Sequence, residues 1–292
     1  MTTQKIKTNQ LATQLAQFHT TVAEKRQTIG THEWTYYTHG HPDNEPLLLL
    51  AGGGGDAETM FQYIQGFSND FCVIAPNYPS TLQTLNDAVN GLRALLDAEG
   101  VEQCVVVGIS FGAILAQLYI RRFQEQVNDL IITHTMIPSQ HIAEALAMQY
   151  QLMRAYPSPL LMWMSKRAFK QQIENSKTPI SASVKQFWQA YFDNLYRNRL
   201  RKRDLLMRAR LTAEYHTENE FNSRDLLAWH GNMLIIESEE DDVISDGDRG
   251  SLKAMYSRAY IQTLSDYDHF APFLAADEII HSMLNFLHKD DA

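Results

Sequence analysis

Two spacings of apolar residues divide this chain. Residues 46–51 (Pro-Leu-Leu-Leu-Leu-Ala), 71–75, 103–107, 130–136, 233–237 and 260–264 are short, mostly apolar runs, the pattern of strands inside a sheet. Between them lie segments that suit helices: 56–64, 82–96 (where Leu85, Val89, Leu92 and Leu96 recur every three or four positions), 113–119, 251–257 and 275–287. Strands alternating with helices at this rhythm predict parallel pairing and right-handed crossovers. The expected fold class is therefore α/β, with a mostly parallel, doubly wound sheet.

Other stretches depart from the rhythm. Leu11, Leu15, Phe18 and Val22 predict an amphipathic N-terminal helix lying on the body of the domain. Residues 26–38 alternate around Gly30-Thr31-His32-Glu33, as in an antiparallel hairpin whose second strand carries Trp34, Tyr36 and Tyr37. Residues 39–44 form a turn cluster. From about 138 to 224 the pattern is helical throughout, punctuated at Tyr156-Pro-Ser-Pro159 and Thr178-Pro179. That predicts a helical subdomain, residues 138–224, inserted between core segments 1–137 and 225–292.

Composition narrows the partners. The 292 residues, 45% hydrophobic, suffice for a sizeable core, and a net charge of −9 argues against nucleic acid, whose binding needs cations. The longest apolar runs, such as 46–55, are half the roughly 20 residues a membrane span needs. Residues 1–10 lack the apolar segment of a signal peptide, so a cytoplasmic protein is expected. Cys72 and Cys104 each fall in a predicted interior strand, where cysteine acts as a small hydrophobe rather than part of a disulfide framework. His39 and His41 have no partner at metal-ligand spacing, and neither a metal nor an organic cofactor is expected. Oligomeric state is not legible in the chain.

The chemistry gathers at Gly108-Ile-Ser110-Phe-Gly112, a G-x-S-x-G pattern with three valines before it and a helical run after it. A bare pattern of this kind is also met in ordinary glycine-rich turns; the strand before and the helix after distinguish a nucleophile elbow. There the serine sits on a strained turn, and its neighbours must be small because strand and helix nearly touch. A serine hydroxyl needs a base to take its proton and a third group to orient that base. Such groups belong on loops after strand C-termini, where a parallel sheet binds ligands. Ser265-Asp-Tyr-Asp-His269 supplies the base, with His134 as its rival. Ser238-Glu-Glu-Asp241-Asp242 supplies the acid, Asp241 first, with Asp242 and Glu239 as alternatives.

Gly52 to Gly55 follow a predicted strand, and Asp56 is placed to cap the helix after them. Such a loop brings backbone N–H groups close to a phosphate or an oxyanion; no Lys-Ser or Lys-Thr follows, which argues against a phosphate loop. In the insert, residues 156–164 are apolar enough to line a pocket, though helix packing explains them equally well. Arg197, Arg199, Arg201, Lys202, Arg203, Arg208 and Arg210 form a basic stretch, read first as a solvated helix face and second as a lure for an anionic substrate.

In these landmarks, and in the order Ser110, Asp241, His269, the chain resembles the α/β-hydrolase fold superfamily over nearly its whole length. The resemblance implies a helical cap over a serine hydrolase site, with Ser110, His269 and Asp241 as a triad. It implies an oxyanion hole from the Gly53 and Phe111 amides; Gly52, Gly54 and, from the apolar stretch of the insert, Trp163 are expected against a small acyl substrate. The chain departs from common family patterns at Ala51-Gly52, at Asp268-His269 and at residues 76–81, and serine at 110 argues against the haloalkane dehalogenase and epoxide hydrolase branches. A weaker similarity, in residues 56–61, 75–79 and the helical insert, points to maspardin-like members that act by binding. The expected reaction is cleavage of an ester, thioester or related acyl bond; the alternatives are carbon–carbon bond hydrolysis or acyl transfer with the same triad, or non-catalytic binding.

Overall fold

The computed structural model describes residues 2–288, with side chains from Gln10 onward. The N-terminal helix α1 (Thr2–Thr21) leads into the hairpin β1 (Ala23–Ile29) and β2 (His32–His39), then β3 (Glu45–Leu50), a 3₁₀ turn (Ala57–Met60), α2 (Phe61–Phe67), β4 (Phe71–Asn77) and α3 (Leu85–Ala98). Next come β5 (Cys104–Ile109), α4 (Phe111–Arg122) and β6 (Val127–Thr133). Four helices follow without a strand: α5 (Gln140–Ala155), α6 (Ser158–Asn175), α7 (Ala182–Asn198) and α8 (Lys202–Glu218). The chain closes with β7 (Met233–Ser238), α9 (Asp246–Met255), β8 (Tyr260–Leu264), α10 (Ala271–Leu274) and α11 (Ala276–Leu287).

The strands form one sheet in the order β1-β2-β4-β3-β5-β6-β7-β8. From β4 to β8 every pairing is parallel; β2 joins β4 antiparallel, and β1 closes the edge as the other arm of the hairpin. Alternation along each strand sorts its side chains between two cores. Leu47, Leu49, Val105 and Val107 face one, packed with Phe61, Ile64 and Met283; Leu48, Leu50, Val106 and Ile132 face the other, packed with Leu92, Leu115 and Ile120. Burial on both faces is why these strands read as continuous apolar runs. The N-terminal helix buries Leu11 and Phe18, and the Phe18 ring meets Tyr37 edge-on. Trp188 and Phe192 of α7 join the first core, and Met207 and Leu211 of α8 join the second.

Three element boundaries differ from expectation. The helix predicted from 82 begins at Leu85, because Thr84 and Asp87 form a capping box: the Thr84 hydroxyl accepts from the Asp87 amide, and the Asp87 carboxylate accepts from the Thr84 amide, each at 3.0 Å. The segment after the glycines starts as a 3₁₀ turn rather than as an α-helix capped by Asp56. The Asp56 carboxylate turns instead to Arg199, and the Ala57 amide donates to Asn77 Oδ1 at 2.8 Å. The strand expected to run from 130 to Met136 spans Val127–Thr133, because His134, at φ 52°, turns the chain out of the sheet.

The cap on α3 is exposed and local, so Thr84→Ala should lower stability by about 1 kcal/mol. Urea denaturation should show this as a lower midpoint at unchanged slope.

Candidate active site

Ser110 is held by the geometry of the strand-to-helix turn. It lies between β5 and α4 at φ 52°, ψ −114°, a strained conformation for a residue with a side chain. The Ser110 amide donates to the Thr133 carbonyl at 2.9 Å, and its own carbonyl accepts from Ala113 and Ile114. Only glycine fits beside it: a Cβ on Gly108 would lie 2.6 Å from Ala113 Cα, and one on Gly112 would lie 2.1 Å from the Leu50 carbonyl oxygen. That close approach of α4 to β3 and β5 leaves the serine at the C-terminal edge of the sheet.

Two other loops at that edge complete the arrangement. Ser110 Oγ lies 3.2 Å from His269 Nε2, and His269 Nδ1 lies 2.9 Å from Asp241 Oδ2 and 3.1 Å from Oδ1. The loops after β7 and β8 are tied together, since the Glu239 amide donates to the Leu264 carbonyl at 3.0 Å and the Glu240 amide to that of Tyr267 at 2.9 Å. Asp241 also accepts from the Val243 and Ile244 amides at 2.8 Å. Burial alone would raise its carboxyl pKa, but the His269 hydrogen bond and charge, with the Ile244 amide, hold it below the ordinary value. The alternative acids, Asp242 and Glu239, are exposed.

The glycine loop lies against this group. A Cβ on Gly52 would be 3.6 Å from Ser110 Cβ, and one on Gly53 would be 3.4 Å from Phe111 Cβ. Phe111 heads α4, where backbone amides have no acceptor within the helix. Gly54 is covered by Phe169 of α6, whose ring also meets Phe270 at 4.9 Å between centroids. Trp163, expected against the substrate, is instead 53% exposed, with the Arg167 guanidinium over its ring. Leu161 and Ile173 are buried and Phe169 packs on the core, so Phe169 is the aromatic that this helix brings to the glycine loop.

Three residues gain roles that their sequence did not display. Asp268, noted only as a departure before His269, is buried and accepts from the Lys177 amide at 2.6 Å, the Thr178 hydroxyl at 3.0 Å and the Phe270 amide at 3.0 Å. It thereby fastens the α6–α7 turn to the His269 loop. Arg208 of α8 donates to the Gly53 carbonyl at 3.0 Å, a contact hidden within the basic stretch. His134, the rival base, does not reach Ser110 through any hydrogen bond described. It is buried behind His269, ring edge to face at 5.7 Å; its Nε2 shares a hydrogen bond of 2.7 Å with Ser238 Oγ, and its Nδ1 meets the Thr133 hydroxyl. Burial and the neighbouring His269 push its pKa down to about 3.

Comparison with known proteins bears on the family and the fold. Residues 47–281 match the profile of the alpha/beta hydrolase family. Proline iminopeptidase PfmaB of Pestalotiopsis fici is 24% identical over 141 residues, 44% of this chain and 50% of that protein, so the match spans half the length of this curated relative. Among solved structures, a hydrolase from Pseudomonas aeruginosa PA01 is similar at a TM-score of 0.75 and 15% identity, covering 90% of this chain and 98% of that one. A thermophilic esterase from Thermogutta terrifontis reaches a TM-score of 0.71 at 16% identity, covering 92% and 98%. At such identities the likeness to the solved structures is one of fold.

A histidine whose folded pKa lies below its unfolded value stabilises the protein above the unfolded pKa, and that stability is lost as pH falls toward the folded one. For His134 the window runs from about 6.5 down to about 3. Between pH 6.5 and 5 it should account for about 2 kcal/mol of lost stability. Urea denaturation of His134→Gln at the two pH values should therefore show a smaller difference than wild type; an equal difference would place the pH sensitivity elsewhere.

Proposed function

Because the chain belongs to the alpha/beta hydrolase family, we propose that it hydrolyses an ester, thioester or related acyl bond in two steps at Ser110. The observation that carries this reading is the continuous hydrogen-bonded chain Ser110 Oγ–His269–Asp241, with the serine on a strained strand-to-helix turn. Ser110 Oγ attacks the acyl carbonyl while its proton passes to His269 Nε2. Asp241 fixes the imidazole with Nδ1–H toward the carboxylate and stabilises the imidazolium that forms. The Gly53 and Phe111 amides receive the oxyanion. His269 then protonates the departing oxygen or sulfur, and water, deprotonated by the same imidazole, releases the acid and restores Ser110. The intact chain of three partners favours catalysis over a purely binding role.

The insertion, residues 138–224, acts in this reading as a cap on the core of residues 1–137 and 225–292. It reaches the site at three places: Phe169 on Gly54, the Lys177–Thr178 turn on Asp268, and Arg208 on Gly53. Its role is to shape the acyl pocket while the core supplies the nucleophile, base and acid.

Intact-mass analysis with a fluorophosphonate probe tests the nucleophile. The wild type should gain one adduct, Ser110→Ala none, and His269→Ala far less in the same time; a wild-type protein inert to the probe and to short p-nitrophenyl esters would overturn the reading. Asp241→Asn should reduce turnover by about three to four orders of magnitude, because it disturbs the histidine's tautomer, whereas Asp242→Asn should leave it near wild type. Phe169→Ala should change the preference between short and medium acyl chains by about tenfold. Trp163→Ala, on the outer face of α6, should leave that preference unchanged.

A further inference from the structure

Within the basic stretch of the insertion, one cation stands apart. Arg197 pairs with Asp193, and Arg199 with Asp56 and Glu58. Arg201 and Lys202 donate to carbonyls at helix ends, Arg210 reaches the Leu82 carbonyl and Gln83, and Arg203 is exposed. Arg208 is only 7% exposed. Its Nη1 donates to the Gly53 carbonyl, its Nε is buried with no hydrogen-bond partner, and among the described residues no carboxylate lies within ion-pairing distance of it.

An arginine that is buried and unpaired is costly, because the interior neither solvates the charge nor neutralises it. Burial accordingly lowers the Arg208 pKa, and the charges of Asp204 and Asp56 only partly oppose this. Asp56 is already engaged by Arg199. The guanidinium nevertheless stands one hydrogen bond from the glycine loop, at a residue placed against Phe111. Its charge also acts on the phenols of Tyr78 and Tyr196, and Tyr78 itself donates to the Ala51 carbonyl at 2.9 Å. A buried positive charge without a direct ion pair, beside the acyl site, is the complement of a negative charge on the molecule that enters it.

We propose that Arg208 binds a carboxylate carried on the acyl portion of the substrate, so that the preferred substrates are esters of dicarboxylic acids with one free carboxylate. The proposal rests on the acyl-hydrolase reading above. A planar guanidinium matches a carboxylate better than a lysine would, and with Nη1 held by Gly53 the fork keeps a fixed orientation. The entering carboxylate supplies the missing counter-charge.

Paired esters test this: mono-p-nitrophenyl glutarate, with a free carboxylate, against p-nitrophenyl pentanoate, of the same chain length but neutral. The wild type should prefer the glutarate in kcat/KM by about tenfold or more, as expected for a hydrogen bond to a charged group. Arg208→Gln should bring the ratio near one, and Arg208→Lys, which keeps the charge without the fork, should fall between. A wild type indifferent to the carboxylate, or an Arg208→Gln variant that loses both esters by one factor, would overturn the proposal and leave Arg208 as a support for Gly53. Glutarate alone gives a reading that needs no turnover. It should raise the Tm of the wild type and of Ser110→Ala but not of Arg208→Gln, whose folding circular dichroism checks; if that variant does not fold, Arg208→Lys carries the comparison. Stabilisation by glutarate with both esters inert would reject the acyl-hydrolase reading and keep the anion site. Ester turnover without carboxylate preference or stabilisation would do the reverse.

Discussion

The contact between the start of α4 and the ends of β3 and β5 is the constraint on which the rest of the site depends. Gly112 leaves no room for a Cβ above the Leu50 carbonyl, and Gly108 leaves none beside Ala113. The chain reverses in a single residue, and Ser110 takes a positive φ to allow it. Strain of this kind persists only where surrounding structure over-determines it. Here the buried valines of β5, the helix behind them and the Ser110–Thr133 backbone bond supply that surrounding structure. Ser110 is thereby held on rigid elements, and His269 and Asp241 come to it on loops.

Those loops are supported from two directions. Backbone hydrogen bonds between the segments after β7 and β8 bring Asp241 to His269. From the other side the insertion grips the same edge: Asp268 holds the α6–α7 turn, Phe169 covers Gly54, and Arg208 fixes the Gly53 carbonyl. A displacement of the insertion would therefore be felt by the histidine loop and the glycine loop together. Behind the site, His134, its pKa pushed down by burial and by His269, fills space next to the His269 ring without adding charge near neutral pH.

Electrostatics separates the two carboxylates of the histidine loop region by role. Asp241 faces the imidazole and is held ionised by it, and Asp268 is held ionised by backbone amides and hydroxyls that belong to the fold. Both are buried against a desolvation penalty, and in both the hydrogen bonds outweigh it. The difference lies in the partner: an imidazole in one case, fixed dipoles in the other.

The fold was legible in the chain because period and burial are coupled locally: strands covered on both faces must be continuously apolar, and helices on a sheet must repeat every three or four residues. For the same reason Ser110, His269 and Asp241 were reachable by rule, since the elbow is a local motif and the other two lie on loops that must share its edge. Where local signals were present but outweighed, boundaries moved. The Thr84–Asp87 box set the start of α3 at Leu85, and Asp56 gave up its capping role to the distant Arg199. The inward face of α6 and the partners of Asp268 and Arg208 were decided only by tertiary structure. Each depends on contacts between residues tens to more than a hundred positions apart, such as Gly54 with Phe169 and Gly53 with Arg208, and no spacing within either segment encodes such a meeting.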